Sequence, residues 1–355
     1  QQNCITNTGA GAPASAIMGG FGNNVIGRPF NFIGGGNSNF SDDTMIGSVI
    51  FGGMNNSTSS NPSLYNYAGL VTGRGIITCG NAAFIGSGLN NCAHTNYAHI
   101  ANGNCNLTEE GRGNTISNGY TNAIHFNNLT GNLVCGNSIS NGRSNVIKNN
   151  SSSDIRYNSI GNGRENQIES ANLSIIGNGF CNNILATRTS IIGNGFCNTV
   201  GSTRSAILNG SCNKVAGDFS VTMSGYCNCI MLTHGFIGSG CCNFLAQGSE
   251  YSFLGGGAYN VICSGAISSV IGGGCCNTIQ SMADSVIGGG GCNQISCDCS
   301  GIFSGYCGTI SGVYSGVLAG CCNMVGSNNS ATGSGYYNVV NANLSIICLL
   351  YTSDA

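Results

Sequence analysis

Cysteine is the one chemically reactive residue that this 355-residue chain holds in quantity: 22 Cys stand beside 12 Asp and Glu, 10 Lys and Arg and 4 His. Hydrolysis of a glycoside calls for two carboxylates ~5–9.5 Å apart. The acids supply few candidates. Glu165 and Glu169 straddle one turn, while Asp42-Asp43 and Glu109-Glu110 are neighbours that a strand would point apart. His94, His99, His125 and His234 fall at unrelated positions and read as surface residues. The cysteines are ordered differently: Cys105, Cys181, Cys197, Cys212, Cys227, Cys242, Cys276, Cys292, Cys307 and Cys322 each sit two residues after a recurrent Gly. One thiol per repeat is not the CxxC pair of a zinc site, and Cys297-x-Cys299 is too close-set for one. The expectation is a chain without catalytic residues, cofactor or metal centre, and not an enzyme.

The recurrent Gly opens a Gly-x-x-Asn signature that appears 20 times from Gly20 to Gly335, at steps of mostly 15 to 17 residues. Asn closes 18 of the 20, with Ile76 and Gly308 as the exceptions. A fixed period of this length marks a solenoid, in which each repeat is one rung stacked on its neighbours. Each rung can be numbered from its Gly as position zero. In the regular stretch after Asn158, position −5 is mostly Ser (Ser174, Ser190, Ser285), and position −3 is mostly aliphatic (Ile176, Ile192, Ile271, Ile287). Position +5 is aliphatic throughout, from Ile168 to Val340. β-Branched residues on both sides of a Gly-rich turn predict two short strands and one tight corner per rung. The fold expected is therefore all-β, a parallel β-solenoid of about 20 rungs.

Alternation along a strand sends −5 and −3 to one face and −4 to the other. A solitary roll in water ought to be polar outside, yet position −4 carries Ile175, Ile191, Val221, Phe236, Phe253, Val270 and Val286. Apolar residues on both faces predict burial against a second body, most simply further copies of the same chain. A solitary solenoid with an apolar stripe is the bland alternative. The +3 column of Asn182, Asn198, Asn213, Asn228, Asn243, Asn260, Asn277, Asn293, Asn323 and Asn338 is expected to be structural. Asn tolerates left-handed backbone angles, and stacked amides form ladders. Beside it, Cys181, Cys197, Cys212, Cys227, Cys242, Cys276, Cys292, Cys307 and Cys322 make a second candidate ladder. Rungs ~4.8 Å apart fall within the Cα range of disulfides but exceed the preferred ~3.8 Å between Cβ atoms. Free or partly oxidised thiols are the expected state. A small-filler role is the alternative, because Thr121, Ser144, Glu165 and Tyr259 share the column.

Composition narrows the partners. Charged residues are 6% of the chain, the net charge is −2, and the Lys and Arg are scattered. Without a basic stripe for phosphates, no nucleic-acid partner is expected. Without a run of about 18 apolar residues, no membrane span is expected in this stretch. Steps of 20, 23 and 21 residues follow Gly53, Gly119 and Gly142. Insertions in solenoids become loops on one face, which makes segments 57–67, 124–140 and 146–157 candidates for specialised surface. The organisation expected is a lead-in at 1–17, irregular repeats over 18–157, regular repeats over 158–347 and a foreign tail at 348–355. That tail, Cys348-Leu-Leu-Tyr-Thr-Ser-Asp-Ala355, looks like the in-frame translation of a transposase-type sequencing adaptor, and Cys348 stands where the rung is due a Gly.

Rungs such as Ser285-Val-Ile-Gly-Gly-Gly-Gly-Cys-Asn-Gln-Ile295 resemble the head repeats of YadA-type trimeric autotransporter adhesins, and similar rungs occur in some phage tail-fibre shafts. The resemblance covers nearly all of 18–347. It implies a left-handed β-roll, a homotrimer whose interface takes up the −4 column, and attachment to host surfaces. A coiled-coil stalk, membrane anchor or fibre chaperone domain would lie beyond residue 347, and the wealth of Cys is a departure from the family. The function expected is a structural and adhesive rod, extracellular on a cell surface or virion, offering a repetitive polar surface to a host protein or glycan. Rungs at ~4.8 Å would give a shaft of about 100 Å. A tail-fibre shaft is the runner-up; a β-helical depolymerase is short of acids, and an ice-binding solenoid is short of a Thr column.

Overall fold

The computed structural model describes residues 2–7, 14–27, 30–41, 47–59, 67–109, 111–126, 134–149, 155–185, 188–280 and 283–349. The tips of the three lengthened repeats, at 60–66, 127–133 and 150–154, lie outside the described residues, as do Asp42, Asp43, Glu110 and residues 350–355. Among the described residues every regular element is a strand, most of them two residues long, and parallel strands stack as a β-solenoid of about 19 turns. The chain divides into two compact units, Gln1–Ala186 and Thr187–Ala355.

Each unit has the same plan. In the first, one ladder of strands follows the +5 side of the rungs from Asn24–Gly27 to Asn183–Leu185. The other follows the −3 side from Ala16–Ile17 to Ile175–Ile176. In the second unit the two ladders run from Thr199–Val200 to Val339–Val340 and from Ile191–Ile192 to Ile346–Leu349. Like pairs with like: Ile271 lies against Ile287, and Ile279 against Ile295. A slip of one residue would exchange the inside for the outside, so the apolar period fixes the register. The −3 residues Ile192, Ile207 and Ile237 face the +5 residues Val200, Val215 and Ile230 across a thin core, all with no exposed surface. Burial of each such side chain is worth roughly 1.5–3 kcal/mol.

The corner at position zero requires glycine. Gly225 sits at φ +112°, and a Cβ there would lie 2.2 Å from the carbonyl oxygen of Gly240 on the next rung. Left-handed backbone, expected at the +3 Asn, falls one residue earlier instead. Position +2 carries it (Cys227 at φ 54°, Cys242 at φ 55°), and so does a second corner at −6 (Phe219 at φ 55°, Tyr251 at φ 61°). The Asn is the first inward residue of the following strand, and its amide works inside the roll. Asn243 Nδ2 lies 3.1 Å from Asn228 Oδ1, 3.2 Å from the Ser239 carbonyl and 3.0 Å from the Gly257 carbonyl. Its Oδ1 accepts the Asn260 backbone N–H at 3.1 Å. Asn182 in the first unit, and Asn198, Asn213, Asn228, Asn243, Asn260, Asn277, Asn293, Asn323 and Asn338 in the second, are all buried.

A second internal ladder lines the far corner, at the Ser of position −5. Ser220 Oγ donates to the Leu232 carbonyl at 2.8 Å and accepts the Gly235 N–H at 2.9 Å. Ser315 repeats this with the Ser327 carbonyl and the Ser330 N–H. In several rungs of the first unit Asn takes the same place, with Asn158 N–H donating to Asn137 Oδ1 at 3.0 Å. Both corners thus satisfy buried backbone groups that a narrow roll cannot expose to water.

Candidate functional site

Positions that alternate with the core point outward, and stacking turns each of them into a column. In the second unit, positions −4 and −2 share one outer face. At −4 the Phe236 and Phe253 rings stack with centroids 5.1 Å apart and planes 2° from parallel. Ile191 and Val286 in the same column are exposed, and so at −2 are Leu208, Met223, Phe303 and Leu318, the last two at 66% and 56%. Apolar side chains left this open along one face mark a contact surface. The −4 column was legible in the sequence. The −2 column was not, because Gly fills it in the most regular rungs, as at Gly193, Gly238, Gly255, Gly272 and Gly288.

The +2 corner carries the thiols. Cys197, Cys212, Cys227, Cys242, Cys276, Cys292, Cys307 and Cys322 of the second unit are free, and exposed or half-buried. In the first unit, Cys181 Sγ lies 3.4 Å from Glu165 Oε2. Position +1 adds vicinal partners: Sγ to Sγ is 3.3 Å for Cys241–Cys242, 3.1 Å for Cys275–Cys276 and 3.3 Å for Cys321–Cys322. The contact with Cys241 pushes the Cys242 thiol above its usual range, and desolvation does the same for Cys227 and Cys307. At the end of the row a hydrogen bond with Tyr336 raises Tyr337 to about 12.

In the first unit the outward column at +6 gathers titratable groups that sequence counting had scattered. His94 and His125 occupy this one position on rungs either side of the one that carries Glu109, with Cys79, Lys148 and Glu169 in the same column. Cys92 Sγ lies 2.9 Å from His94 Nε2, His125 Nδ1 lies 3.2 Å from Glu109 Oε2, and Lys148 Nζ lies 3.3 Å from Glu169 Oε2. Glu165 sits instead at a +2 corner against Arg164 at 2.7 Å, which holds its carboxyl below the usual range. Glu165 and Glu169, the pair that straddles one turn, therefore belong to different columns. His234, at a −6 corner of the second unit, is stacked between Phe219 at 5.1 Å and Tyr251 at 4.8 Å.

Hydrogen bonds to Cys79 and then Cys92 raise His94 from its ordinary value to about 10. A raised value favours the protonated ring in the folded chain. The stability it adds is complete below pH ~6.5 and is lost as pH climbs through about 10. In an NMR titration of the His94 ring protons, the midpoint should lie far above neutrality, and Cys79→Ala with Cys92→Ala should return it toward ~6.5. An unaltered midpoint in that double variant would refute the thiol origin of the shift.

Among the described residues no three His, Cys, Asp or Glu side chains converge as a group that could hold a metal ion, and no helix is long and apolar enough to cross a membrane. No family model matches the sequence, and no curated protein matches it. Function has to be argued from the columns themselves.

Proposed function

We propose that this chain is a structural rod that assembles through its apolar outer face and presents its remaining surface for attachment. The observation that carries the proposal is the −4 and −2 face of the second unit, with stacked Phe236 and Phe253 and open Leu208, Met223, Phe303 and Leu318. Solvent-exposed side chains of this size gain roughly 25 cal/mol for every Å² that a partner covers. Every copy carries the same face in the same pitch, so copies of the chain are complementary to one another along its length. Three copies are the number implied by the resemblance to YadA-type head repeats, and the assembly is accordingly a homotrimer. The remaining columns are rich in Asn, Ser, Thr and Gly, neutral groups suited to a glycan or a host surface protein. In this reading the rod is extracellular, on a cell or virion.

Charge placed on the apolar face tests the assembly. Phe236→Glu with Phe253→Glu should reduce the assembly to single chains in light scattering while the far-UV circular dichroism stays that of the unaltered protein. An assembly that survives both charges would place the interface elsewhere and overturn the proposal.

A further inference from the structure

The thiol corner of the second unit has no role in that assembly, and its geometry is unusual. Cys197, Cys212, Cys227 and Cys242 occupy position +2 on four consecutive rungs, and Cys276, Cys292, Cys307 and Cys322 occupy it on four more. Successive residues are held in stack by backbone hydrogen bonds, from Cys227 to the Ser211 carbonyl and from Cys242 to the Tyr226 carbonyl, at 3.0 and 2.9 Å. The Cys227 thiol reaches both Cys212 and Cys242, and the Cys307 thiol reaches both Cys292 and Cys322. Vicinal Cys241, Cys275 and Cys321 thicken the row.

We propose that this column is a binding stripe for soft, two-coordinate cations of the Cu(I) and Ag(I) class, each ion bridging thiolates of adjacent rungs. The pitch of the roll decides between the two bonds that stacked thiols can form. Parallel strands ~4.8 Å apart hold like residues wider than the ~3.8 Å between Cβ atoms that a disulfide prefers. A linear sulfur–metal–sulfur bridge spans about twice a ~2.3 Å bond, or ~4.6 Å, which is nearly the rung spacing itself. Thiolates select Cu(I) over harder ions. The column offers sulfur from one side only, and no three ligating side chains converge among the described residues, which disfavours the closed tetrahedral shell of structural zinc. Each bridge forms two metal–sulfur bonds from two S–H groups and releases two protons to solvent, with no change of oxidation state. Because each thiol must lose its proton to bind, the stripe's affinity rises with pH.

The test uses the full chain, reduced and kept free of oxygen, with Cu(I) supplied as its acetonitrile complex and a competing Cu(I) chelator present. One variant replaces Cys212, Cys227, Cys241 and Cys242 by Ser, a residue the corner accepts, since Ser38 and Ser144 hold the same position at φ 55° and 56°. A control variant removes the same number of thiols away from position +2, with Cys4, Cys135, Cys229 and Cys263 replaced by Ser. The stripe variant should lose about two of the Cu(I) equivalents that resist the chelator, one for each pair of thiols removed, and the control should lose none. The same titration with Zn(II) should leave no chelator-resistant metal on the stripe. Equal loss in the two variants, or full retention in the stripe variant with its circular dichroism unchanged, would overturn the proposal.

Discussion

Asn243→Leu is expected to destabilise the second unit by about 3 kcal/mol, although both side chains carry four heavy atoms with the same branching. The cost is one of hydrogen bonding. With the amide gone, the buried Asn260 N–H loses the Asn243 Oδ1 acceptor at 3.1 Å, and Asn228 Oδ1 and the Ser239 and Gly257 carbonyls lose Nδ2. A buried polar group left without its partner costs ~1–3 kcal/mol, and the stack offers water no way in. Urea denaturation followed by circular dichroism would measure the change. Lys214→Ala, on the exposed side of a nearby strand, should stay within about 0.5 kcal/mol. If the two variants unfold alike, the amide ladder is not what holds the rungs together.

Gly225→Ala should be costlier still, at about 4 kcal/mol, because two penalties fall on one methyl group. The backbone at φ +112° lies where residues with a Cβ are strained, and the added carbon would stand 2.2 Å from the Gly240 carbonyl oxygen and 2.4 Å from Asn228 Nδ2. Relief requires the rungs to part, and a solenoid holds each rung only by its neighbours. Gly273→Ala, where the added carbon meets nothing within 4 Å, is the matched comparison and should change the midpoint little. Equal midpoints for the two alanines would mean that the corner can relax without cost.

Much of this was legible in the period alone. The signature Gly gave the rung, and the aliphatic −3 and +5 columns gave the two walls, because a two-residue strand period leaves little choice about which side faces in. The Asn column was found for a partly mistaken reason: its side chain points into the core, and the left-handed turn belongs to the residue before it, where Cys227 and Cys242 sit. The hydrogen bonds of Ser220 and Ser315 were not legible, because a small buried side chain does not announce in sequence which carbonyl it will meet. His94 and His125 read as unrelated because the long steps nearby hide the pitch, although counting from Gly88 and Gly119 puts both at +6. The stack of Phe219, His234 and Tyr251 is hidden in the sequence because its column also holds Thr189, Arg204 and Asp284, so no one residue type dominates it.

Whether copies of the chain cover the −4 and −2 face is tested most directly by sedimentation equilibrium of the unaltered protein in reducing buffer. Assembly through that face predicts a single species at three times the 36.0 kDa chain mass, unchanged across the concentrations sampled. A species at 36.0 kDa would contradict it, and would leave Phe236, Phe253, Phe303 and Leu318 open to water.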